Sequence, residues 1–129
     1  MTDDPLQHRA FADAIVDRAA TQLRALLVRL AREAQPFPPF PGAMFVYGIE
    51  VEPPPGSAHG CVIVMDDGDL YELQVGLDED AVARGGDRVA MRHEANVRLE
   101  LPPDEYVLFA HRAALALVDH LETRAGGAV

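Results

Sequence analysis

The N-terminal part of the chain carries one unbroken helical period, and this pattern constrains the fold more than any other feature. Apolar residues recur at spacings of three and four along one stripe, which comprises Phe11, Ile15, Ala19, Leu23, Leu26 and Leu30. A second stripe beside it comprises Val16, Ala20, Leu27 and Ala31. The pattern predicts a helix from Leu6 to Ala34, ended by Pro36.

This helix is long for the chain that carries it. At the usual rise per residue it measures about 43 Å. The whole sequence has 129 residues, which fits one domain spanning residues 1–129. A helix of that length exceeds the core of so small a domain. We therefore expect either that its first turns fray or that it packs on something beyond its own sheet.

The middle of the chain has the pattern of an antiparallel meander. Pro36–Gly42 contains four prolines and predicts an extended connector. Met44–Glu52 and Leu70–Leu77 alternate apolar and polar residues, and Cys61–Met65 is wholly apolar, so all three are predicted strands. Asp66–Asp69 contains an Asp-Gly pair between two of these strands, which is a strong hairpin signal.

The C-terminal part predicts one or two more strands and a final helix. Residues 78–84 have the composition of a short helix. A period of two runs from Val89 to Leu101, which is too long for an ordinary strand of at most about ten residues. We expect a break near Glu94–Asn96 that leaves Val97–Leu101 as the firm part, and the pattern does not decide between one bent strand and two. Pro102-Pro103 precedes a helix that runs to about Thr123.

These elements predict an α+β fold, with an antiparallel sheet of four to five strands and both helices packed on one face. The order is α-β-β-β-(short α)-β-(β)-α. This order, the small size and the acidity resemble the small acidic type III secretion chaperones, which act as dimers. The resemblance lies in topology alone and rests on no motif.

The charge balance excludes some classes of partner. The chain has 21 acidic residues against 11 arginines and no lysine, a net charge of −10. Nucleic acids and anionic membranes attract the opposite balance, so we expect neither as a partner. A basic protein client fits this charge, which leaves a chaperone or regulator of such a client as one alternative. The N-terminus is acidic and carries no signal-peptide pattern, so we expect a cytoplasmic protein.

One small group of residues offers an alternative based on catalysis. His59 and Cys61 stand two positions apart at the start of a predicted strand, where they share a face, and His93 lies on the apolar side of its alternating run. Together they are candidates for a small metal-assisted or acid–base enzyme. The ligand set is incomplete and no phosphate loop is present, so we expect no metal and no cofactor, and we favour a non-catalytic protein over this alternative.

The helices carry more apolar surface than one sheet can cover. The second stripe of the first helix contributes Val16 and Leu27, and the last helix carries Leu108, Phe109 and Leu115 outside its predicted core face. Surplus apolar surface of this kind marks an interface. A wider core in which the helices pack on each other explains it as well. Our preferred hypothesis is a non-catalytic binding or accessory module that acts as a homodimer through its helices.

Overall fold

The computed structural model describes residues 4–41, 46–77 and 92–126, and all structural statements below concern these ranges. They form an α+β fold of two helices and a four-stranded antiparallel sheet, as predicted. The elements are α1 (Pro5–Glu33), β1 (Ile49–Val51), β2 (Val62–Val64), β3 (Leu70–Leu77), β4 (Arg92–Arg98) and α2 (Pro103–Gly126). The short helix predicted over residues 78–84 lies outside the described ranges.

Helix α1 extends over the full predicted length and is capped at its start. The Asp4 carboxylate accepts a hydrogen bond from the Leu6 amide, and Pro5 occupies the first helical position, where its lack of an N–H costs nothing. The helix ends at Glu33, and the amide of Ala34 still bonds the Leu30 carbonyl. The first turns are therefore helical and capped in the structure.

The sheet is a meander in the order β1-β2-β3-β4, with every pair antiparallel. The Asp-Gly pair turns the chain between β2 and β3, where Gly68 has φ +80° and donates to the Met65 carbonyl, so the predicted hairpin is confirmed. Strands β1 and β2 are shorter than predicted, with three residues each.

The predicted break at Glu94–Asn96 is wrong. Strand β4 pairs with β3 without interruption, from Tyr71 opposite Arg98 to Leu77 opposite Arg92. The eight residues of β3 provide an unbroken partner, and continuous ladder hydrogen bonds keep β4 extended. The strand also ends at Arg98, so the segment expected to be its firm part, Val97–Leu101, lies mostly beyond it.

Both helices lie on one face of the sheet, and the main core lies between them and the strands. Arg24 contacts Tyr106 near the start of α2, and Arg124 near its end donates to the Ala34 carbonyl. The two helices therefore run in the same general direction. The most deeply buried large side chains of this core are Leu27, Val51, Val62, Val64, Phe109 and Leu117.

The proline-rich connector covers the opposite face of the sheet. A second, smaller cluster there contains Val46, Ile63 and Leu73, with Phe40 packed against it. Phe37 instead enters the main core, where it is buried. The connector thus serves as a cover for the sheet, and its two phenylalanines belong to different cores.

Candidate functional site

The imidazole of His59 lies between two carboxylates, one on β3 and one in the first turn of α2. Its Nδ1 is 3.2 Å from Glu72 Oε2 on β3, and its Nε2 is 3.9 Å from Glu105 Oε1. The ring meets Phe109 edge-on, with the centroids 5.7 Å apart. Hydrogen bonds from Gln74, the Gly60 amide and His59 lower the pKa of Glu72. These contacts join the loop before β2, the strand β3 and α2.

His59 and Cys61 do not share a face, contrary to the prediction. Strand β2 begins only at Val62, so the alternation that would align the two residues does not extend back to His59. His59 contacts α2, whereas Cys61 packs against the cluster on the other face of the sheet. Burial, with Glu50 and Glu72 nearby, raises the pKa of the Cys61 thiol. A raised pKa disfavours the thiolate that a nucleophile or a metal ligand requires.

His93 lies on β4, directly opposite Gly76 on β3, and its side chain is outside the described structure. Strand β4 is two strands away from β2 in the sheet, which separates their backbones by about 10 Å. Among the described residues, no group of three or more His, Cys, Asp or Glu side chains is arranged to hold a metal ion. The structure therefore does not bring His59, Cys61 and His93 together into a described site.

A second polar cluster is not evident from the sequence. Asp69 in the hairpin turn binds two arginines, with Arg24 Nη1 at 3.5 Å and Arg98 Nη2 at 3.2 Å. The Arg24 guanidinium also stacks on the Tyr106 ring, with its Cζ 4.4 Å from the centroid. Burial raises the pKa of Tyr106. These residues come from four separate elements, so no local spacing in the sequence predicts the cluster. Their contacts hold the hairpin turn between α1, β4 and α2.

The predicted interface residues differ in exposure and fall into a buried, a half-buried and an exposed group. Leu27 and Phe109 are completely or almost completely buried in the main core, so we assign them to the core and not to an interface. Val16 is half-buried. Leu108 and Leu115 are exposed on the outer face of α2, as the interface hypothesis requires.

Among the described residues, the three most exposed large apolar side chains lie in the first half of α1. Leu6, Phe11 and Ile15 are 75%, 60% and 66% exposed, respectively. We call residues 5–19 the projecting half of α1 and residues 20–33 the packed half. Tyr106 in the first turn of α2 lies beside Arg24, so the preceding residues of α1 run past the start of α2. The projecting half is about 22 Å long at the rise of an α-helix.

The first stripe of the sequence pattern runs along both halves of α1, and we call it the α1 strip (Phe11, Ile15, Ala19, Leu23, Leu26 and Leu30). In the packed half its residues are half-buried beside the core. In the projecting half they are exposed, apart from the half-buried Ala19. The second stripe, with Ala20, Leu27 and Ala31, faces the core instead. The α1 strip is therefore the apolar surface of this helix that remains accessible.

Comparisons with known proteins give no relative. No protein-family model matches the chain, and neither the search of curated proteins nor that of solved structures finds a significant match. Within the described residues, neither helix combines the length and apolarity needed to cross a membrane.

Proposed function

We propose that this protein is a small, cytoplasmic, non-catalytic binding or accessory module that acts as a homodimer through its helices. The observation that carries this proposal is the projecting half of α1. Two large apolar side chains of the α1 strip, Phe11 and Ile15, are 60% and 66% exposed in a regular and N-capped helix. Adjoining exposed apolar side chains on one helix face are typical of an interaction site.

The energetics favour coverage of this surface. Burying one large apolar side chain stabilises a complex by roughly 1.5–3 kcal/mol, before the entropy lost on association is subtracted. In addition, an isolated helix of about 15 residues is only marginally stable in water. A partner that covers the projecting half therefore gains apolar contacts and also stabilises the helix that provides them.

The chemistry around His59 supports a non-catalytic function. One ring nitrogen is hydrogen-bonded to Glu72, and the other lies near Glu105. The Cys61 thiol has a raised pKa and packs on the opposite face of the sheet from the helices. This arrangement has the character of a structural link between β3 and α2, because Glu72 is hydrogen-bonded to His59 and the His59 ring packs on Phe109.

Sedimentation velocity at tens of micromolar protein tests the proposal. We expect the wild-type chain to sediment with twice its monomer mass of 14.0 kDa. Phe11→Glu with Ile15→Glu places two charges on the α1 strip and should give a folded monomer. The matched control, Ala10→Glu with Thr21→Glu, adds the same charge on the opposite, exposed side of α1 and should remain dimeric.

The second pair of substitutions, Leu108→Glu with Leu115→Glu, probes the exposed face of α2 in the same way. A wild-type protein that is monomeric throughout this concentration range would overturn the proposal. A dimer that survives both the α1 and the α2 substitutions would overturn the assignment of the interface to the helices. Circular dichroism of each variant confirms that a change in mass is not a loss of folding.

A further inference from the structure

We infer that the partner of α1 is the α1 helix of a second copy of this chain, packed antiparallel about a two-fold axis near Ala19. This inference rests on the proposed homodimer and specifies its geometry. The alternative geometries are a parallel pair of α1 helices and a dimer formed through the outer face of α2. Three properties of α1 favour the antiparallel pair.

The first property is the position of the boundary between the two halves of α1. The helix has 29 residues, from Pro5 to Glu33, and its central residue is Ala19. The mostly exposed part ends just before this residue, and the first buried side chain is that of Ala20. The projecting and packed halves are thus nearly equal in length. An antiparallel pair centred on Ala19 lays the projecting half of each copy along the packed half of the other, with neither end left over.

The second property is the continuity of the α1 strip through the boundary. Phe11 and Ile15 lie on the projecting side, and Leu23, Leu26 and Leu30 lie half-buried on the packed side. A two-fold interface requires one surface patch that is complementary to itself. The strip meets this condition, because each copy offers both the exposed side chains and the apolar surface that receives them. Ala19 at the centre is small and allows the two helices to approach closely.

The third property is the charge of the two halves. The projecting half, residues 5–19, contains Arg9 and Arg18 against Asp13 and Asp17, a net charge of 2 − 2 = 0. The packed half, residues 20–33, contains three arginines against Glu33, a net charge of 3 − 1 = +2. Antiparallel packing lays the basic half of each helix along the neutral half of the other, whereas parallel packing places the two basic halves together. The opposed helix dipoles favour the same orientation.

Distances between spin labels test the orientation directly. Gln7 and Thr21 are both exposed and lie on the same side of α1 outside the strip, with Gln7 one turn before Phe11. Each is replaced by cysteine in turn, in a Cys61→Ala background, and labelled for pulsed electron paramagnetic resonance. In the antiparallel pair the axial separation of the two Gln7 positions is about 36 Å, and that of the two Thr21 positions is about 6 Å.

We therefore expect the distance between the Gln7→Cys labels to exceed that between the Thr21→Cys labels by at least about 10 Å, because both positions have a similar lateral separation. Equal distances at the two positions indicate a parallel pair and overturn the inference while the homodimer stands.

A dimer that is lost with Leu108→Glu and Leu115→Glu, and kept with Phe11→Glu and Ile15→Glu, also overturns it. If Cys61→Ala alone makes the protein monomeric, Cys61→Ser replaces it as the background. Failure of the proposed homodimer is recognised separately, by the monomer mass of the wild-type chain.

Discussion

The two halves of α1 have a similar apolar periodicity and different environments. Both halves are regular helix, and both carry apolar residues at spacings of three and four. In the packed half, Leu27 and Ala31 are fully buried against α2 and the sheet. In the projecting half, Phe11 and Ile15 are mostly exposed. The same pattern therefore serves two purposes along one helix, and the boundary between them is set by where α2 begins.

This comparison shows that amphipathic periodicity specifies a helix and a buried stripe without specifying what buries the stripe. In the packed half the covering element belongs to the same chain. In the projecting half, we propose, it belongs to a second copy. The predictions below test this difference in a monomeric background, Phe11→Glu with Ile15→Glu, so that changes in stability are not mixed with dissociation of a dimer.

The largest expected effect is the difference in unfolding free energy between a leucine-to-alanine substitution in the packed half and one in the projecting half. Leu27→Ala removes a side chain that is 0% exposed and leaves a cavity in the main core, which costs roughly 2–5 kcal/mol of unfolding free energy. Leu6→Ala removes a side chain that is 75% exposed, and we expect a change within about 0.5 kcal/mol. Urea denaturation followed by circular dichroism measures both values.

The difference between the two leucine variants is the quantity of interest. If Leu6→Ala costs as much as Leu27→Ala in the monomeric background, the projecting half is packed within its own chain and the comparison fails. If both variants are neutral, Leu27 is not in the core. In the wild-type dimer, Leu6→Ala is expected to leave the dimer affinity nearly unchanged, because Leu6 lies on the opposite side of α1 from Ile15 in the strip.

Most of the fold was accessible from the sequence because its signals are local. The long helix, the hairpin at Asp67-Gly68 and the strand Leu70–Leu77 follow from periodicity and turn chemistry within a few residues. The predicted break near Glu94–Asn96 failed for the opposite reason. Its strand is held straight by pairing with β3, which is a long-range contact that the local pattern does not contain.

The sequence was less informative about which face of each helix is buried. Apolar residues surround most of α2, so the pattern gives no unique core face. It predicts Phe109 outside that face, where the residue is in fact buried. On α1 both stripes are apolar, and only the position of the sheet decides that Leu27 faces inward. The cluster around Asp69 was also invisible, because its members come from separate elements and meet only in three dimensions.

A smaller difference in unfolding free energy is expected between two glycine substitutions, one of them where the hairpin turn contacts the packed half of α1. A Cβ on Gly68 would lie 2.9 Å from the backbone of Val28, and φ at this position is +80°. Gly56 has nearly the same φ, +82°, but a Cβ there would have no atom within 4 Å. Replacing either glycine by alanine strains the left-handed backbone by about 1–2 kcal/mol. Gly68→Ala also forces the turn away from α1, so we expect it to cost at least about 1 kcal/mol more than Gly56→Ala.

Thermal and urea unfolding of the two alanine variants compare these costs. Gly56→Ala reports the backbone strain alone, so the difference between the variants reports the contact with α1. Equal destabilisation would mean that the turn does not press on the packed half of the helix, which would remove one of the contacts that distinguish it from the projecting half.

The smallest effect is expected near the boundary between the halves, where the first arginine of the packed half anchors the helix. Arg24 stacks on Tyr106 and binds Asp69, but its side chain is 51% exposed, so solvent screens both contacts. A cation–π contact at such a site contributes about 0.5–1 kcal/mol and a surface ion pair about 0.2–1 kcal/mol. Arg24→Met keeps the aliphatic volume and the helix propensity, so we expect a loss of about 1 kcal/mol in urea unfolding.

The matched control for this anchor is Arg18→Met, which makes the same change in the projecting half and should be neutral in the monomer. Raising the salt concentration to about 1 M should shrink the difference between the two variants, because the contribution from Asp69 is screened while the packing on Tyr106 remains. If the difference in unfolding free energy between the two variants vanishes completely in high salt, the ion pair with Asp69 alone accounts for the stabilisation by Arg24. Equal stability of the two variants in low salt would show that Arg24 does not fix the start of the packed half.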